Sequence, residues 1–232
     1  IGFFLFFSSQ LFCQDHQYVD SLVKIYETGN YETTKKLQIL SDLSFRHYDP
    51  EEALGYSEEL IRIAKQKDSS QQLFNGYFHK GNALTRKGNL SDALESYFQG
   101  AEIAGKEKTN RSLGVINIAI ADVYSIMGNH NNAVHYYKTA TGILKDIDDP
   151  MKLSTALNNL GDEYLLVSKP DSALLMFEQS GPVFKRLGFT EGIAMTIGNK
   201  GIAYAMLGKD EIDKDEINHD INMFEKMEKY YP

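Results

Sequence analysis

A 40-residue period governs this chain. Residues 71–110, 111–150 and 151–190 align block on block without gaps. Extended backwards, the frame puts Ala53 in register with Ala93, Ala133 and Ala173; extended forwards, it puts Gly201 and Tyr204 in register with Gly161 and Tyr164. A fixed period of this length builds a solenoid of stacked supersecondary units, because each unit buries its apolar face only against its neighbours. The expectation is therefore an all-α array of about five helix-turn-helix units, wound as a right-handed superhelix, with function on an extended face of the stack.

Each block divides into two helices. In 111–150 the first carries Ile116, Ile120, Val123 and Tyr124, the apolar spacing of one helix face. It should stop at Gly128–Asn129, since glycine and asparagine tolerate the left-handed conformation that ends helices. The second helix begins near Asn131 and carries Ala133, Tyr137, Ala140 and Leu144. Matching turns fall at Gly88–Asn89, Ser168–Lys169–Pro170 and Gly208–Lys209. Asp49–Pro50–Glu51–Glu52 reads as an N-cap, a first-turn proline and early acids, and Asp171 or Ser172 is expected to cap the corresponding helix later in the chain.

The small residues form packing columns. Gly81, Ala121, Gly161 and Gly201 lie on first helices, and the alanine column on second helices. Tyr97, Tyr137 and Phe177 follow the second-helix alanine by four residues, which puts them on the same side one turn later. They are expected to fill the gap between neighbouring units. The resulting segments are 31–70 as a degenerate repeat, 71–110, 111–150 and 151–190 as regular repeats, and 191–232 as a divergent terminal repeat. Residues 15–30 form a lead-in helix or linker. Block 31–70 departs from the pattern at Ser41 and Ser44, and the last block at Asp213, where alanine is expected, although Ile212, Ile217, Ile221 and Phe224 keep one apolar stripe.

Composition narrows the function. Net charge is −8, from 32 acidic and 24 basic residues, which argues against nucleic acid as a partner, since phosphates call for a basic face. The single cysteine, Cys13, excludes an intrachain disulfide or a cysteine metal cluster. No serine-nucleophile motif, phosphate-binding glycine loop or metal-spaced histidine pair occurs; His130 and His135 are five apart, a poor spacing for one helix face. Neither an enzymatic role within these residues nor a metal or cofactor is expected. The chain opens on Ile1, followed by the phenylalanine- and leucine-rich run 1–14, the size of a signal-peptide core and too short to span a bilayer. It is read as the end of a truncated export signal cut near Cys13–Gln14, with the rest of the chain on the periplasmic face of the inner membrane.

Glycine or alanine, tyrosine three residues on, then alanine and an aromatic four later is a pattern that resembles the tetratricopeptide repeat, over about 31–229. Gly161, Tyr164, Ala173 and Phe177 match it fully. The 40-residue length looks like the subclass with longer helices found in regulatory proteins. The opening TTKKLQILSDLSFRHYDPEEALGYSEELIRIAK (33–65) and the end NKGIAYAMLGKDEIDKDEINHDINMFEKMEKYYP (199–232) further resemble the N-terminal region of bacterial membrane-bound adenylate/guanylate cyclases. That resemblance implies an exported sensor array ahead of a transmembrane helix and a catalytic domain, both outside this chain, and a homodimer formed through the parent chain. Similar arrays precede histidine kinases and transcription regulators, and a free-standing exported scaffold for envelope assembly is the other alternative.

Candidate partner-binding residues lie on the first helices, which line the concave face of such arrays. One place after the small residue stand Asp42, Asn82, Asp122, Asp162 and Ile202. This row fits a basic or donor-rich peptide, or else is a solvated helix face. Two places before the small residue stand Ile39, His79, Ala119, Asn159 and Asn199, with Asn158 adjacent. Their amides can bind a peptide backbone or bond between neighbouring repeats. Toward the C-terminus, Ile126, Leu165, Leu166, Met195 and Met206 make the same face more apolar, either as a peptide groove or as contacts to the next helix.

Overall fold

A computed structural model describes residues 4–29 and 31–208. It divides into two compact units, with the chain boundary between Thr109 and Asn110. Unit 1 contains α1 (Phe4–Thr28), α2 (Thr33–Arg46), α3 (Pro50–Gln66), α4 (Ser70–Arg86) and α5 (Leu90–Lys106). Unit 2 contains α6 (Asn110–Ile126), α7 (His130–Leu144), α8 (Pro150–Leu166), α9 (Pro170–Leu187) and α10 (Thr190–Leu207). All regular structure among the described residues is helical, and the helix pairs α2–α3, α4–α5, α6–α7 and α8–α9 are the repeats the period demands. The expected cleavage point near Cys13–Gln14 falls within α1. The divergent stretch from Lys209, with Asp213 and the stripe Ile212 to Phe224, lies outside the described residues.

The backbone has a half-period of its own. Asp68, Gly88, Lys108, Gly128, Ser168, Gly188 and Gly208 all have positive φ, between 50° and 79°, and they fall at multiples of 20 residues from one another. The amide that follows each of the turns from Asp68 to Gly188 bonds back to the helix, as in Asn89 N–H to Leu84 O at 2.9 Å, Asn129 to Tyr124 at 2.8 Å and Lys169 to Tyr164 at 2.7 Å. This six-to-one bond closes a helix end in the Schellman manner and leaves few orphan carbonyls. The series skips position 148, where α7 stops early at Leu144.

Helix starts follow the sequence in part. Asp49 caps α3, its carboxylate accepting from Glu51 N–H at 2.8 Å, and Pro50 occupies the first turn. Neither Asp171 nor Ser172 caps α9. Pro170 sets the start of that helix, so the cap position falls on Lys169, and Asp171 sits inside the first turn, where its charge favours the helix dipole.

Packing explains the small-residue columns. Ala53, Ala93, Ala133 and Ala173 are fully buried. A Cβ on Gly81 would lie 2.3 Å from the Tyr97 ring, and one on Gly161 would lie 2.4 Å from Phe177. The aromatic column therefore closes the gap between the two helices of its own repeat, and is not confined to the joint between repeats as expected. Tyr137 does both. It packs with Ala121 of its own repeat and belongs to a cluster with Leu160, Tyr164, Ala173 and Phe177 of the next. In unit 1, Val19 and Leu22 of α1 cover Ile39 and Leu43 of α2, so the lead-in segment shields the first repeat.

Candidate interaction face

The first helices of unit 2 are α6, α8 and α10. Residues four apart on a helix share a face, so Asp122 and Ile126, Asp162 and Leu166, and Ile202 and Met206 make three equivalent pairs. The outer members are strongly exposed: Ile126 by 61%, Leu166 by 59% and Met206 by 45%. Ile202 and Met195 of α10 are also exposed. Leu165 is not part of this row; it is partly buried against Tyr164 and Leu174 and their neighbours, a packing residue.

The carboxyl members are half-buried and held from below. Tyr137 O–H donates to Asp122, and Asn159 Nδ2 of the next repeat reaches both Asp122 Oδ1 and the Tyr137 oxygen at 3.5 Å. Asn199 donates to Asp162 across the following joint. The asparagine row thus bonds between neighbouring repeats. Asn158 does not reach the face at all: it is buried and accepts from Thr196 Oγ1 at 3.0 Å. Burial pushes the Asp162 carboxyl up to about 7, with the neighbouring Glu163 charge acting in the same direction and the Asn199 bond against it. Burial raises Asp122 as well, opposed by its bonds from Tyr137 and Asn159. The Tyr137 hydroxyl is raised by burial and by the Asp122 charge, so it remains a donor.

Glu163 is a residue that column reading missed. Its counterparts Leu43, Ala83, Val123 and Ala203 are buried and apolar, and Glu163, although a carboxylic acid, is equally buried at 2% exposure. His130, at the start of α7, places Nδ1 2.9 Å from Glu163 Oε2 and makes an ion pair when protonated. A carboxylate in an apolar column was the available signal. Its partner is 33 residues away, beyond any local spacing rule.

In unit 1 the same columns behave differently. Asp42 takes a bond from Gln38 of its own helix at 3.2 Å, and Asn82 accepts from Tyr97 O–H at 2.7 Å. Across the joint between repeats, Ser44 Oγ and His79 Nδ1 lie 2.8 Å apart and Asn75 Nδ2 reaches Ser41 Oγ at 3.4 Å, beside the ion pairs Lys80–Glu58 and Lys87–Glu51. The two serines that break the repeat pattern therefore supply two of its polar contacts. Burial alone lowers His79 to about 4, keeping the imidazole neutral. At the outer position unit 1 carries Arg46 and Arg86, the latter donating to His47 O at 3.0 Å. Among the described residues no group of three or more histidine, cysteine or acidic side chains is placed to hold a metal, and no helix is long and apolar enough to cross a membrane.

Residues 112–186 match the tetratricopeptide repeat model. That stretch carries tetratricopeptide repeats. No curated protein matches the sequence. Among solved structures, BtubC (BKLC) from P. vanneervenii is similar with a TM-score of 0.75 at 18% identity, over 95% of this chain and 92% of that one. The apo form of RapI is similar with a TM-score of 0.73 at 14% identity, over 100% and 95%. The Rap conjugation gene regulator of plasmid pLS20, in complex with the Phr* peptide, has a TM-score of 0.71 at 16% identity; the match covers 96% of this chain and 60% of that protein. At these identities the likeness is one of fold, and it extends the repeat architecture beyond the stretch matched by the family model.

Proposed function

We propose that this tetratricopeptide chain is a protein- or peptide-binding module of a signalling protein. The observation that carries the reading is the recurrence of large exposed apolar side chains, Ile126, Leu166 and Met206, at one repeat position of the first helices of unit 2. Stacking has no use for them there, and exposed apolar side chains grouped on one face mark interaction sites. A structural neighbour that binds the Phr* peptide supports a peptide as one class of ligand.

The finer assignment is the exported N-terminal region of a membrane-bound adenylate/guanylate cyclase, on the periplasmic face of the inner membrane. Its support is the resemblance of 33–65 and 199–232 to that family and the apolar run 1–14. In that setting, a ligand with different affinity for two geometries of the array would shift the balance between them and so the activity of a downstream dimer.

Display of a random peptide library against the purified chain tests the module. Enrichment of a consensus sequence is expected; enrichment no greater than on a helical-repeat control with a polar face would refute it. Reading the gene beyond Pro232 tests the finer assignment, which fails if no transmembrane helix and cyclase domain follow.

A further inference from the structure

The exposed row of unit 2 lies one helical turn from two carboxyls that are poorly compensated. Every donor to Asp122 and Asp162 named above is neutral: a phenol and two amides. Among the described residues no lysine, arginine or histidine forms an ion pair with either carboxyl. Glu163 adds like charge beside Asp162, His130 is engaged by Glu163, and Lys138 lies over the Tyr164 ring, 5.5 Å from its centre. A half-buried carboxylate in such surroundings gains most from a cation that arrives with a ligand. The amides and the phenol fix the carboxyl positions in advance, so little ordering is left for binding. Beside each carboxyl stands an exposed isoleucine or leucine, and at the third position Ile202 and Met206 replace the pair with apolar surface alone.

We propose that the face formed by Asp122, Ile126, Asp162, Leu166, Ile202 and Met206 binds a peptide segment in which lysine or arginine alternates with large apolar residues, the cations meeting Asp122 and Asp162. This rests on the peptide-binding reading and deepens it by naming the partner's chemistry. The flexible methionine and the branched side chains accept apolar groups of varied shape.

The test uses the full chain and two fluorescein-labelled probes, a short peptide of alternating leucine and lysine and its counterpart with glutamate for lysine. Fluorescence anisotropy should give at least about tenfold tighter binding to the lysine peptide, equivalent to about 1.4 kcal/mol. Leu166→Ser, at an exposed position, should weaken binding about tenfold at every pH. Wild-type binding should weaken as pH falls through about 7, where Asp162 takes up a proton, and Asp162→Asn should weaken binding and flatten that dependence. Equal binding of the two peptides, or unchanged affinity in both variants, would overturn the proposal. Cross-linking of the bound lysine peptide to residues 16–109 would overturn this face while leaving a peptide-binding module intact. Failure of the display library as well would remove both. A dimer in sedimentation that Leu166→Ser dissolves would make a second copy the occupant and would also refute the proposal.

Discussion

The two units use one scaffold with different polar chemistry at their joints. In unit 1 the buried polar contact at the joint between repeats is a serine hydroxyl on a neutral imidazole, Ser44 with His79, while the ion pairs Lys80–Glu58 and Lys87–Glu51 lie toward solvent. In unit 2 it is a set of carboxyls, Asp122, Asp162 and Glu163, held by amides, a phenol and His130. The outer ends of the first helices differ in the same way, with Arg46 and Arg86 in one unit and Ile126, Leu166 and Met206 in the other. The aromatic-on-small-residue contacts tolerate this divergence because they carry the packing, which frees the polar columns to vary.

That division of labour can be broken at its packing side first. Phe177→Ala removes a fully buried ring that lies on Gly161. It should cost about 3–5 kcal/mol in denaturant unfolding. A cost comparable to that of a surface substitution would mean the shared lock is not what holds unit 2.

The second effect concerns pH and has opposite sign in the two units. His79 is lowered to about 4 from an ordinary 6.5. The unfolded chain therefore binds the extra proton first, and the contribution of this site is complete above about pH 6.5 and lost as pH falls toward 4. Asp162 is raised to about 7 from 3.8. There the folded chain binds the proton first, so its contribution is complete below about pH 4 and lost as pH rises through about 7. Each is worth about 1–3 kcal/mol, with the lower figure for the partly exposed Asp162. Hydrogen exchange of α4 and α8 amides, compared with His79→Gln and Asp162→Asn, separates the two. Slopes of the same sign would end the contrast.

The smallest effect lies in the turns. Unit 2 places Ser168 at φ 57° where Gly128 and Gly188 occupy the equivalent turn positions. Ser168→Gly relieves the left-handed strain and should stabilise by roughly 0.5–1 kcal/mol after glycine's greater unfolded-state entropy. A thermal unfolding midpoint that falls would show that the serine makes a compensating contact.

The sequence by itself determined the period, the helix pairs, the buried alanine column and the turns, because each follows from short-range rules: apolar spacing at about 3.6 residues, glycine at left-handed positions, small residues where helices touch. It also put Asp122 and Asp162, and Ile126, Leu166 and Met206, at equivalent positions of the first helices. Only tertiary structure decided what those columns do. Asn158 and Asn159 are neighbours in sequence, yet about 100° of helix rotation separates them, so one is buried on Thr196 and the other reaches Asp122. Tyr137 could have faced the next repeat alone, and it serves both sides. His130 and Glu163 are paired by the stacking of α7 against α8, a contact set by the angle between repeats and carried by no local pattern. The physical reason is the same throughout: the period fixes which residues are equivalent, while hydrogen-bond partners across a joint depend on distances that arise only when the repeats are stacked.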